Sequence, residues 1–291
     1  MKKNKFVKSP LNYTGGKYKL LEQIVPLFPN NMSVFVDLFG GGFNVGANID
    51  ASKIVYNELD ENVFDIIHGI YEEDTESSLV KFDSIIETYD LNKTNQEGFL
   101  KLRDWWNEDI DNTRSWHDLY MLVCHSFNYS FRFNRAGDFN MPFGKNRSEF
   151  TKSLRKRFYE FSEHVKYKNV SFYNSSFEKI TDKFIERLDK DKNIFFYVDS
   201  PYLIATATYN EQDGWNEDKE RLLYSELDKV HKAGGKFAVS NVIEHKGRSN
   251  DIVKEWMAKY NVHYLNYDYK NCSYHGKNTD KPTIEVLITN Y

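Results

Sequence analysis

Long apolar runs and closely spaced cysteines are missing from this sequence of 291 residues. No apolar stretch approaches the roughly 20 residues that cross a bilayer, and the basic residues 1–5 are not followed by the apolar segment of a signal peptide. The two cysteines, Cys124 and Cys272, are far apart in the chain and lack the spacing of metal ligands. We therefore expect a cytoplasmic protein in a reducing compartment, with no membrane segment and no metal.

Excess positive charge is missing as well, because the formal net charge is −4 at pH 7. A nucleic-acid partner would therefore need a local positive surface. Acidic side chains are concentrated in residues 71–111, whereas lysine and arginine are concentrated in residues 132–168. Two solvated helix faces of opposite sign explain this separation most simply, and a basic surface for nucleic acid is the alternative.

Short apolar runs alternate with amphipathic stretches through much of the chain. The runs predict strands at residues 34–36, 54–56, 170–173, 194–198, 237–239, 263–265 and 283–288. Helices are predicted at residues 20–27, 178–188 and 216–232, and another helix is predicted to open at Gly40-Gly41-Gly42 and run to Ile49. Strands that alternate with helices predict an α/β fold with a parallel sheet, to which the last two strands can add an antiparallel hairpin.

Residues 72–166 lack this alternation. They look helical at 77–87 and 99–106, and then loop-like and aromatic around 127–144. We interpret them as a lobe inserted into a single α/β domain that consists of residues 1–71 and 167–291.

The most informative motif is Asp199-Ser200-Pro201-Tyr202, which follows the predicted strand 194–198. In open α/β sheets, ligands bind outside the carboxyl ends of the strands. Pro201 disfavours the helical region for Ser200, so the turn should be extended with an exposed carbonyl. A carboxylate, a carbonyl and a ring can together hold a planar base that carries an amino group. A surface turn in which Asp199 caps a helix is the plainer interpretation.

The glycine loop supports a nucleotide-type ligand. Gly40-Gly41-Gly42 follows a predicted strand, and Glu58 ends the next strand about twenty residues on, where an acid can hold ribose hydroxyls. This spacing favours an adenosine-type cofactor and leaves NAD and S-adenosylmethionine open. The turn before the first helix, Asn12 to Lys17, could place Lys17 beside a carboxylate, but it lacks the form of a phosphate-binding loop.

Taken together and in this order, the motifs resemble the Dam-type (D12 class, alpha group) DNA adenine-N6 methyltransferases. The resemblance covers nearly the whole chain and rests on residues 13–17, 37–42, 57–58, 131–144, 199–202, 236–241 and 281–288. It implies a Rossmann-like S-adenosylmethionine-dependent methyltransferase fold with an inserted, mostly helical DNA-recognition lobe. Residues 1–71 and 167–291 would be the catalytic domain, and residues 72–166 the target-recognition domain.

The resemblance also implies roles for individual residues. The catalytic residues would be Asp199, Ser200, Pro201 and Tyr202. The residues that bind the donor S-adenosyl-L-methionine would be Tyr13, Lys17, Asp37, Gly40, Gly42, Glu58, Phe177 and Asp199. The residues that contact double-stranded DNA would be Phe127, Ser130, Arg132, Asn134, Pro142, Lys145 and Asn146. Among these, Arg132 would read a base edge and Phe127 would fill the gap left by a flipped base.

The chemistry of adenine agrees with these roles. Its exocyclic amine is a poor nucleophile, so acceptors at Asp199 and the Ser200 carbonyl would aim the lone pair at the methyl group, while Tyr202 stacks on the extruded base. Neither a metal nor a covalent intermediate is required.

The match departs from the family pattern at a few positions. Ser200 replaces the first of two usual prolines, which keeps the backbone carbonyl but loosens the turn. An aspartate at position 199 favours adenine over cytosine-N4 as the target. Ser130 and Asn146 stand where GATC-recognising relatives carry other residues, which speaks against a GATC site.

The leading hypothesis is a site-specific DNA adenine-N6 methyltransferase, either solitary or paired with a separate restriction endonuclease. The alternatives are a DNA-binding relative that has lost catalysis, an adenine-N6 methyltransferase that acts on RNA, and a nicotinamide-dependent oxidoreductase that uses the glycine loop.

Overall fold

The computed structural model describes residues 6–108, 113–204, 214–266 and 283–291. The chain divides into two compact units. The first consists of Met1–Gly16, Gly41–Asn48 and Asp60–Lys168, and the second of Lys17–Gly40, Ile49–Leu59 and Asn169–Tyr291. The predicted role of residues 72–166 in target recognition stays a prediction.

The second unit is built on a mixed β-sheet. Its strands are β1 (Val34–Asp37), β2 (Lys53–Asn57), β3 (Val170–Tyr173), β4 (Ile194–Val198), β5 (Lys236–His245), β6 (Arg248–Ser249), β7 (Asn261–Leu265) and β8 (Ile284–Thr289). The order across the sheet is β3-β2-β1-β4-β5-β8-β7, and β6 pairs with β5. Strands β1 to β5 are joined by parallel pairings, whereas β8 runs antiparallel to both β5 and β7. The prediction of an α/β, Rossmann-like fold is therefore confirmed.

The central strands are buried on both faces, as parallel strands are when helices cover them. Side chains alternate between the faces along each strand. On one face, Phe196 and Val198 join a large apolar cluster with side chains of the helices α7 (Phe177–Ile185), α8 (Glu217–Lys232) and α9 (Asp251–Met257). On the other face, the ring of Phe28 lies 5.1 Å from that of Phe195. This packing fixes where β4 ends.

The sheet order places a switch point between β1 and β4. From β1 the chain continues to β2 on one side, and later returns through β4 on the other side. In such sheets the crevice outside the carboxyl ends of the two diverging strands is the usual ligand site. Asp37 ends β1, and Asp199 follows the last residue of β4.

Helix α8 begins and ends for reasons visible in the sequence. The Asn216 side chain accepts a hydrogen bond from the backbone N–H of Lys219 at 2.9 Å and so caps the first turn. Gly234 follows the helix with φ of 81°, and the next residue donates back to the Val230 carbonyl at 2.9 Å. Gly234 is therefore a glycine C-cap.

The prediction of a helix after the glycine loop is wrong. The segment forms turns and one 3-10 turn, Gly46–Asn48. The Asn44 side chain accepts from the Ser9 N–H at 3.1 Å, and the Asn48 amide donates to the carbonyls of Val7 and Asn44, each at 2.8 Å. Asparagine side chains that bond the backbone in this way compete with helix formation.

The first unit is mostly helical. Its helices are α2 (Glu61–Glu72), α3 (Thr75–Tyr89), α4 (Gln96–Glu108), α5 (Trp116–His125) and α6 (Lys152–Lys166), and the second unit also holds the short helix α1 (Leu21–Ile24), flanked by 3-10 turns at Lys17–Leu20 and Val25–Leu27. Helices α3 and α4 confirm the predicted helical stretches, with wider bounds. The sequence patterns do not predict α2, α5, α6 or α9.

An aromatic core holds the first unit together. The Phe82 ring on α3 is fully buried and lies 5.3 Å from that of Tyr120 on α5 and 4.9 Å from that of Phe158 on α6. Nearly every side chain of α5 is buried, including those of His117, Asp118 and His125. A helix that is buried all round shows little 3.6-residue period in its apolar residues, which is why the sequence does not reveal it.

No helix within the described ranges is both long and apolar enough to cross a membrane. Cys124 is buried in α5 as a free thiol, and burial raises the pKa of that thiol well above its usual range. Cys272 and the segment that joins β7 to β8, residues 267–282, lie outside the described residues.

We expect Phe82→Ala to destabilise the protein by about 3–5 kcal/mol, because it removes the ring on which three helices pack. Val80→Ala is the matched control, since Val80 lies in the same helix with 67% of its side chain exposed. Urea unfolding followed by circular dichroism measures both variants. Equal free energies of unfolding would contradict the central role of Phe82.

Candidate active site

Asp199 stands at the carboxyl end of β4 and is held in an ion pair. The ammonium of Lys17 lies 2.8 Å from Asp199 Oδ1, and the Lys17 side chain is only 3% exposed. The backbone of β4 is fixed against β1, since Leu38 donates its N–H to the Tyr197 carbonyl at 3.0 Å. The carboxylate beside Lys17 is therefore one of the protein's own side chains, and the predicted role of Lys17 in donor binding stays a prediction.

Two further side chains complete this cluster. The Tyr202 hydroxyl lies 3.2 Å from Asp199 Oδ1 and 3.2 Å from Glu285 Oε1, so its proton can be donated to either carboxylate. Glu285 Oε1 is also 3.6 Å from the Lys17 ammonium. The ammonium in turn lies 4.9 Å from the centre of the Tyr202 ring, within range of a cation–π interaction.

The electrostatics of the cluster are set by burial. Desolvation raises the pKa of the Asp199 carboxyl, Lys17 opposes the rise, Glu285 adds to it, and the hydrogen bond from Tyr202 lowers it again. The net direction is upward. Asp199 is therefore a stronger proton acceptor than an ordinary aspartate.

Ser200 and Pro201 continue the motif. Ser200 is 3% exposed, and its hydroxyl oxygen finds no hydrogen-bond partner in the part of the chain that the structure describes. Proline at this position would have no such buried oxygen. No contact within those residues accounts for a hydroxyl group at position 200.

Polar groups also gather where β1, β2 and β3 end. The Asn57 side chain donates to the carbonyl of Leu38 at 3.0 Å and to that of Ser175 at 3.1 Å. Its Oδ1 atom is buried and unpartnered among the described residues. Glu58 follows directly, and its backbone N–H donates to the Tyr173 carbonyl at 3.1 Å. Asp37, on the neighbouring strand, is 2% exposed.

Phe177 lies at the start of α7 within a group of aromatic rings. Its ring is 5.6 Å from that of Phe39 and 5.9 Å from that of Trp215. The Trp215 indole donates to Glu220 at 2.9 Å, which fixes the ring. Phe177 itself is buried, and its predicted contact with the donor's adenine stays a prediction.

Gly40 has a structural reason to be glycine. A Cβ atom there would lie 2.3 Å from the ring of Tyr56, which no side chain could tolerate. The space beside Gly40 is thus filled by the protein itself. The predicted contact of Gly40 with a donor stays a prediction.

Tyr13 belongs to the first unit, where it covers the rest of the glycine loop. A Cβ on Gly41, whose φ is 47°, would lie 2.9 Å from the Tyr13 ring, and one on Gly42 would lie 3.2 Å from Tyr13 Cβ. The Tyr13 ring also meets Phe131 edge-on at 6.3 Å. The predicted roles of Tyr13 and Gly42 in donor binding stay predictions.

The segment predicted to contact DNA forms a hairpin-like loop in the first unit. Arg132 donates to the Asn140 side chain at 2.8 Å and to the Asn140 carbonyl at 2.9 Å, which orients its guanidinium. The Asn134 side chain accepts from the N–H groups of Ala136 and Asp138, each at 2.9 Å. Asn134 therefore shapes the tip of the loop.

The two ends of this segment meet at Phe127. Its N–H donates to the Pro142 carbonyl at 2.8 Å, and 40% of its side chain is exposed. The Arg147 guanidinium lies 5.0 Å from the Phe127 ring. Pro142, Lys145 and Asn146 are exposed as well, whereas Ser130 is half-buried.

The backbone of the segment around Phe127 is strained. Asn128, Tyr129 and Asn146 have φ of 58°, 56° and 60°, in the left-handed region that non-glycine residues rarely adopt. Such outliers are held only where surrounding contacts over-determine them, and they cluster at binding sites. The Tyr129 hydroxyl, which donates to the Arg147 carbonyl at 3.1 Å, is one of those contacts.

The sequence analysis misses Glu285, Trp215 and Arg147. A signal for Glu285 exists, because it is a lone carboxylate in the apolar run Ile284–Thr289. Trp215 and Arg147 show no such signal, since the rings that they contact, those of Phe177 and Phe127, are not near them in the sequence. In the same described ranges, no group of His, Cys, Asp and Glu side chains is arranged to hold a metal ion.

Comparison with known proteins identifies the family. The family model of the D12 class N6 adenine-specific DNA methyltransferases matches residues 13–271. The chain belongs to this family. The resemblance drawn from the motifs is thereby confirmed, and the nicotinamide-dependent alternative is not favoured.

Two relatives with high identity to this chain are longer than it. Type II methyltransferase M.FokI of Planomicrobium okeanokoites is 43% identical over 100% of this chain and 44% of its own length. Modification methylase StsI of Streptococcus sanguinis is 38% identical over 99% of this chain and 43% of its own length. The chain thus spans less than half the length of both relatives.

Two further proteins are more distantly similar to this chain. DNA adenine methylase of Salmonella typhi is 28% identical over 72% of this chain and 69% of its own length. Among solved structures, the rRNA methyltransferase AviRa from Streptomyces viridochromogenes covers 100% of this chain and 93% of its own, with 8% identity and a TM-score of 0.43.

We expect Lys17→Met to destabilise the protein by about 3–5 kcal/mol near pH 8, because two buried carboxylates lose their shared cation. A carboxyl group whose pKa is raised on folding lowers the free energy of unfolding at a pH where the group is charged. This loss of stability disappears as the pH falls through the raised pKa and the group takes up a proton. Without Lys17 the pKa of Asp199 rises further. The difference in melting temperature from wild type should therefore be smaller near pH 5 than near pH 8.

The control for this prediction is Lys19→Met, which removes an exposed lysine two residues further along. Its melting temperature should follow that of the wild type at both pH values. A Lys17→Met deficit that grows as the pH falls would contradict the assigned electrostatics.

Proposed function

We propose that this chain transfers a methyl group from S-adenosyl-L-methionine to N6 of adenine in double-stranded DNA, after the base is flipped out of the helix. Membership of the D12 class supports this reaction. The observation that carries it is Asp199 at the switch point of the sheet, with Lys17 and Tyr202 against its carboxylate. Ser200 in place of proline leaves that arrangement intact.

The residues at the carboxyl edge of the sheet fit the donor. The buried Asn57 Oδ1, which has no partner within the described ranges, can accept a hydrogen bond. Glu58 would hold the ribose hydroxyls and Phe177 would lie against the adenine ring. When bound, the donor supplies a methyl group activated by a positively charged sulfur.

Asp199 and the Ser200 carbonyl act on the target amine. Both would accept hydrogen bonds from N6, which favours a pyramidal nitrogen with its lone pair directed away from the two acceptors. The Asp199 carboxylate also stabilises the positive charge that develops on the nitrogen. Because burial raises the pKa of Asp199, this carboxylate is suited to accept the proton that the amine releases.

Tyr202 orients the base. Its hydroxyl lies within hydrogen-bond distance of two carboxylates, that of Asp199 after β4 and that of Glu285 in β8. These contacts define the position of the ring before a base binds. A flipped adenine would stack on this ring, as extruded bases do on aromatic side chains. Correct placement of the amine supplies much of the rate in a methyl transfer.

We assign target recognition to residues 72–166. The exposed Phe127 would fill the gap left by the flipped base, and Arg132, oriented by Asn140, would read a base edge. The names of the relatives, a type II methyltransferase and a modification methylase, support a role in restriction-modification. Such a role requires access to DNA, which supports a cytoplasmic location.

We expect Asp199→Asn to lower the rate of methyl transfer by at least about 100-fold, since it removes the charge that stabilises the reacting nitrogen. Transfer from labelled S-adenosylmethionine to mixed-sequence duplex DNA measures the rate. The control is Asp218→Asn, an exposed aspartate at the start of α8 that should keep full activity.

Two outcomes would contradict the proposal. Folded wild-type protein that binds DNA but transfers no methyl group would mean a relative without catalysis. Faster transfer to duplex RNA than to duplex DNA would mean that RNA is the substrate.

We expect Phe127→Ala to weaken binding to duplex DNA by about tenfold, the scale of one lost aromatic–base stack. Fluorescence anisotropy at fixed salt measures the affinity, and 2-aminopurine at the methylated position reports base flipping. Tyr167→Ala is the control, because Tyr167 is 87% exposed and is not assigned to DNA. An unchanged 2-aminopurine signal in Phe127→Ala would refute the assigned role.

A further inference from the structure

Glu285 is a buried carboxylate in a strand that otherwise carries apolar side chains and a threonine. It lies on β8, between β5 and β7, opposite Val242 on one side and Leu265 on the other. Only 4% of its surface is exposed. A carboxylate so placed costs free energy unless cations or hydrogen-bond donors compensate it.

Two groups that compensate this carboxylate belong to the candidate active site. Glu285 Oε1 faces both the Lys17 ammonium, at 3.6 Å, and the Tyr202 hydroxyl, at 3.2 Å. Asp199 Oδ1 faces the same ammonium at 2.8 Å and the same hydroxyl at 3.2 Å. The two carboxylates therefore share one cation and one hydroxyl.

The shared ammonium affects how readily the Asp199 carboxylate can bind a substrate amine. An ammonium that had Asp199 as its sole charged partner would neutralise that carboxylate and compete with a substrate amine for its oxygens. A second carboxylate beside the ammonium draws part of this interaction away.

We infer that Glu285 is a positioning residue for methyl transfer: it divides the Lys17 ammonium and the Tyr202 hydroxyl with Asp199, and so keeps the Asp199 carboxylate available to the target amine. The inference rests on the proposed function and adds a residue to it. Glu285 acts through Lys17, Asp199 and Tyr202 and does not itself touch the base.

Glu285→Gln removes the charge and keeps the shape. We expect its single-turnover rate of methyl transfer to fall by about tenfold or more, the scale of a lost charged hydrogen bond. The affinity for S-adenosylhomocysteine, measured by calorimetry, should stay within about twofold of wild type. This split between rate and affinity is not expected from a general loss of structure.

Glu226→Gln is the matched control. Glu226 is also 4% exposed, and it pairs with Lys229 at 2.6 Å on α8. Its removal takes away a buried, ion-paired carboxylate of the same unit, so the rate of methyl transfer should stay within about twofold of wild type.

A double-mutant cycle with Lys17→Met tests the shared cation. In the absence of the ammonium, Glu285→Gln should change the rate by less than about threefold, because the cation that it shares with Asp199 is gone and only its hydrogen bond with Tyr202 is left to lose. An equal loss in both backgrounds would show that Glu285 acts independently of Lys17 and would overturn the inference.

Glu285→Asp decides the question if the glutamine variant does not fold. It keeps the charge but withdraws the carboxylate by one methylene group. A loss of about threefold or more in rate, at unchanged affinity for S-adenosylhomocysteine, supports the inference. A wild-type rate in Glu285→Asp or in folded Glu285→Gln overturns it. Wild-type protein that transfers no methyl group overturns the proposed function and this inference with it.

Discussion

A buried ammonium that must be neutralised is the constraint on which the second unit depends. Lys17 is 3% exposed, and an uncompensated charge at that depth would cost several kcal/mol. Its partners come from far apart in the sequence: Asp199 follows β4, and Glu285 lies in β8 near the end of the chain. The sheet has to bring these positions together with an accuracy of a few tenths of an ångström. The Lys17 ammonium is therefore neutralised only if the strands are arranged in the observed order.

The order of the strands meets this requirement. Strands β1 and β4 lie side by side although much of the chain separates them, which creates the switch point beside Asp199. The antiparallel β8 is inserted between β5 and β7, so that its Glu285 joins the cluster from a strand of opposite direction. Parallel strands alone would bring only their carboxyl-terminal residues to this edge, whereas an antiparallel strand reaches it with residues near its beginning. The geometry at Tyr202 depends on both kinds of pairing.

The sequence predicts the parts of this fold in which one pattern dominates. Strands β3 and β4 are predicted at their observed bounds, because each is a short apolar run between polar turns. It does not predict α5, whose burial on all sides hides the helical period, and it wrongly predicts a helix after the glycine loop, where Asn44 and Asn48 bond to the backbone instead. The sequence predicts neither the Lys17–Asp199 contact nor the role of Glu285, because the first depends on β4 lying beside β1 and the second on which strand lies beside β5. Contacts that require the sheet order cannot be predicted from local pattern.

The glycine at position 40 shows how a motif can be maintained for two unrelated reasons. Its missing side chain is replaced by the ring of Tyr56, which would overlap with any Cβ at that position. A relative that had lost its ligand would therefore still need this glycine for as long as it kept the tyrosine. Positions 40 and 56 should consequently change together in evolution: a larger residue at 40 becomes tolerable once a small one stands at 56. Core packing against Tyr56 is by itself a sufficient reason for glycine at position 40.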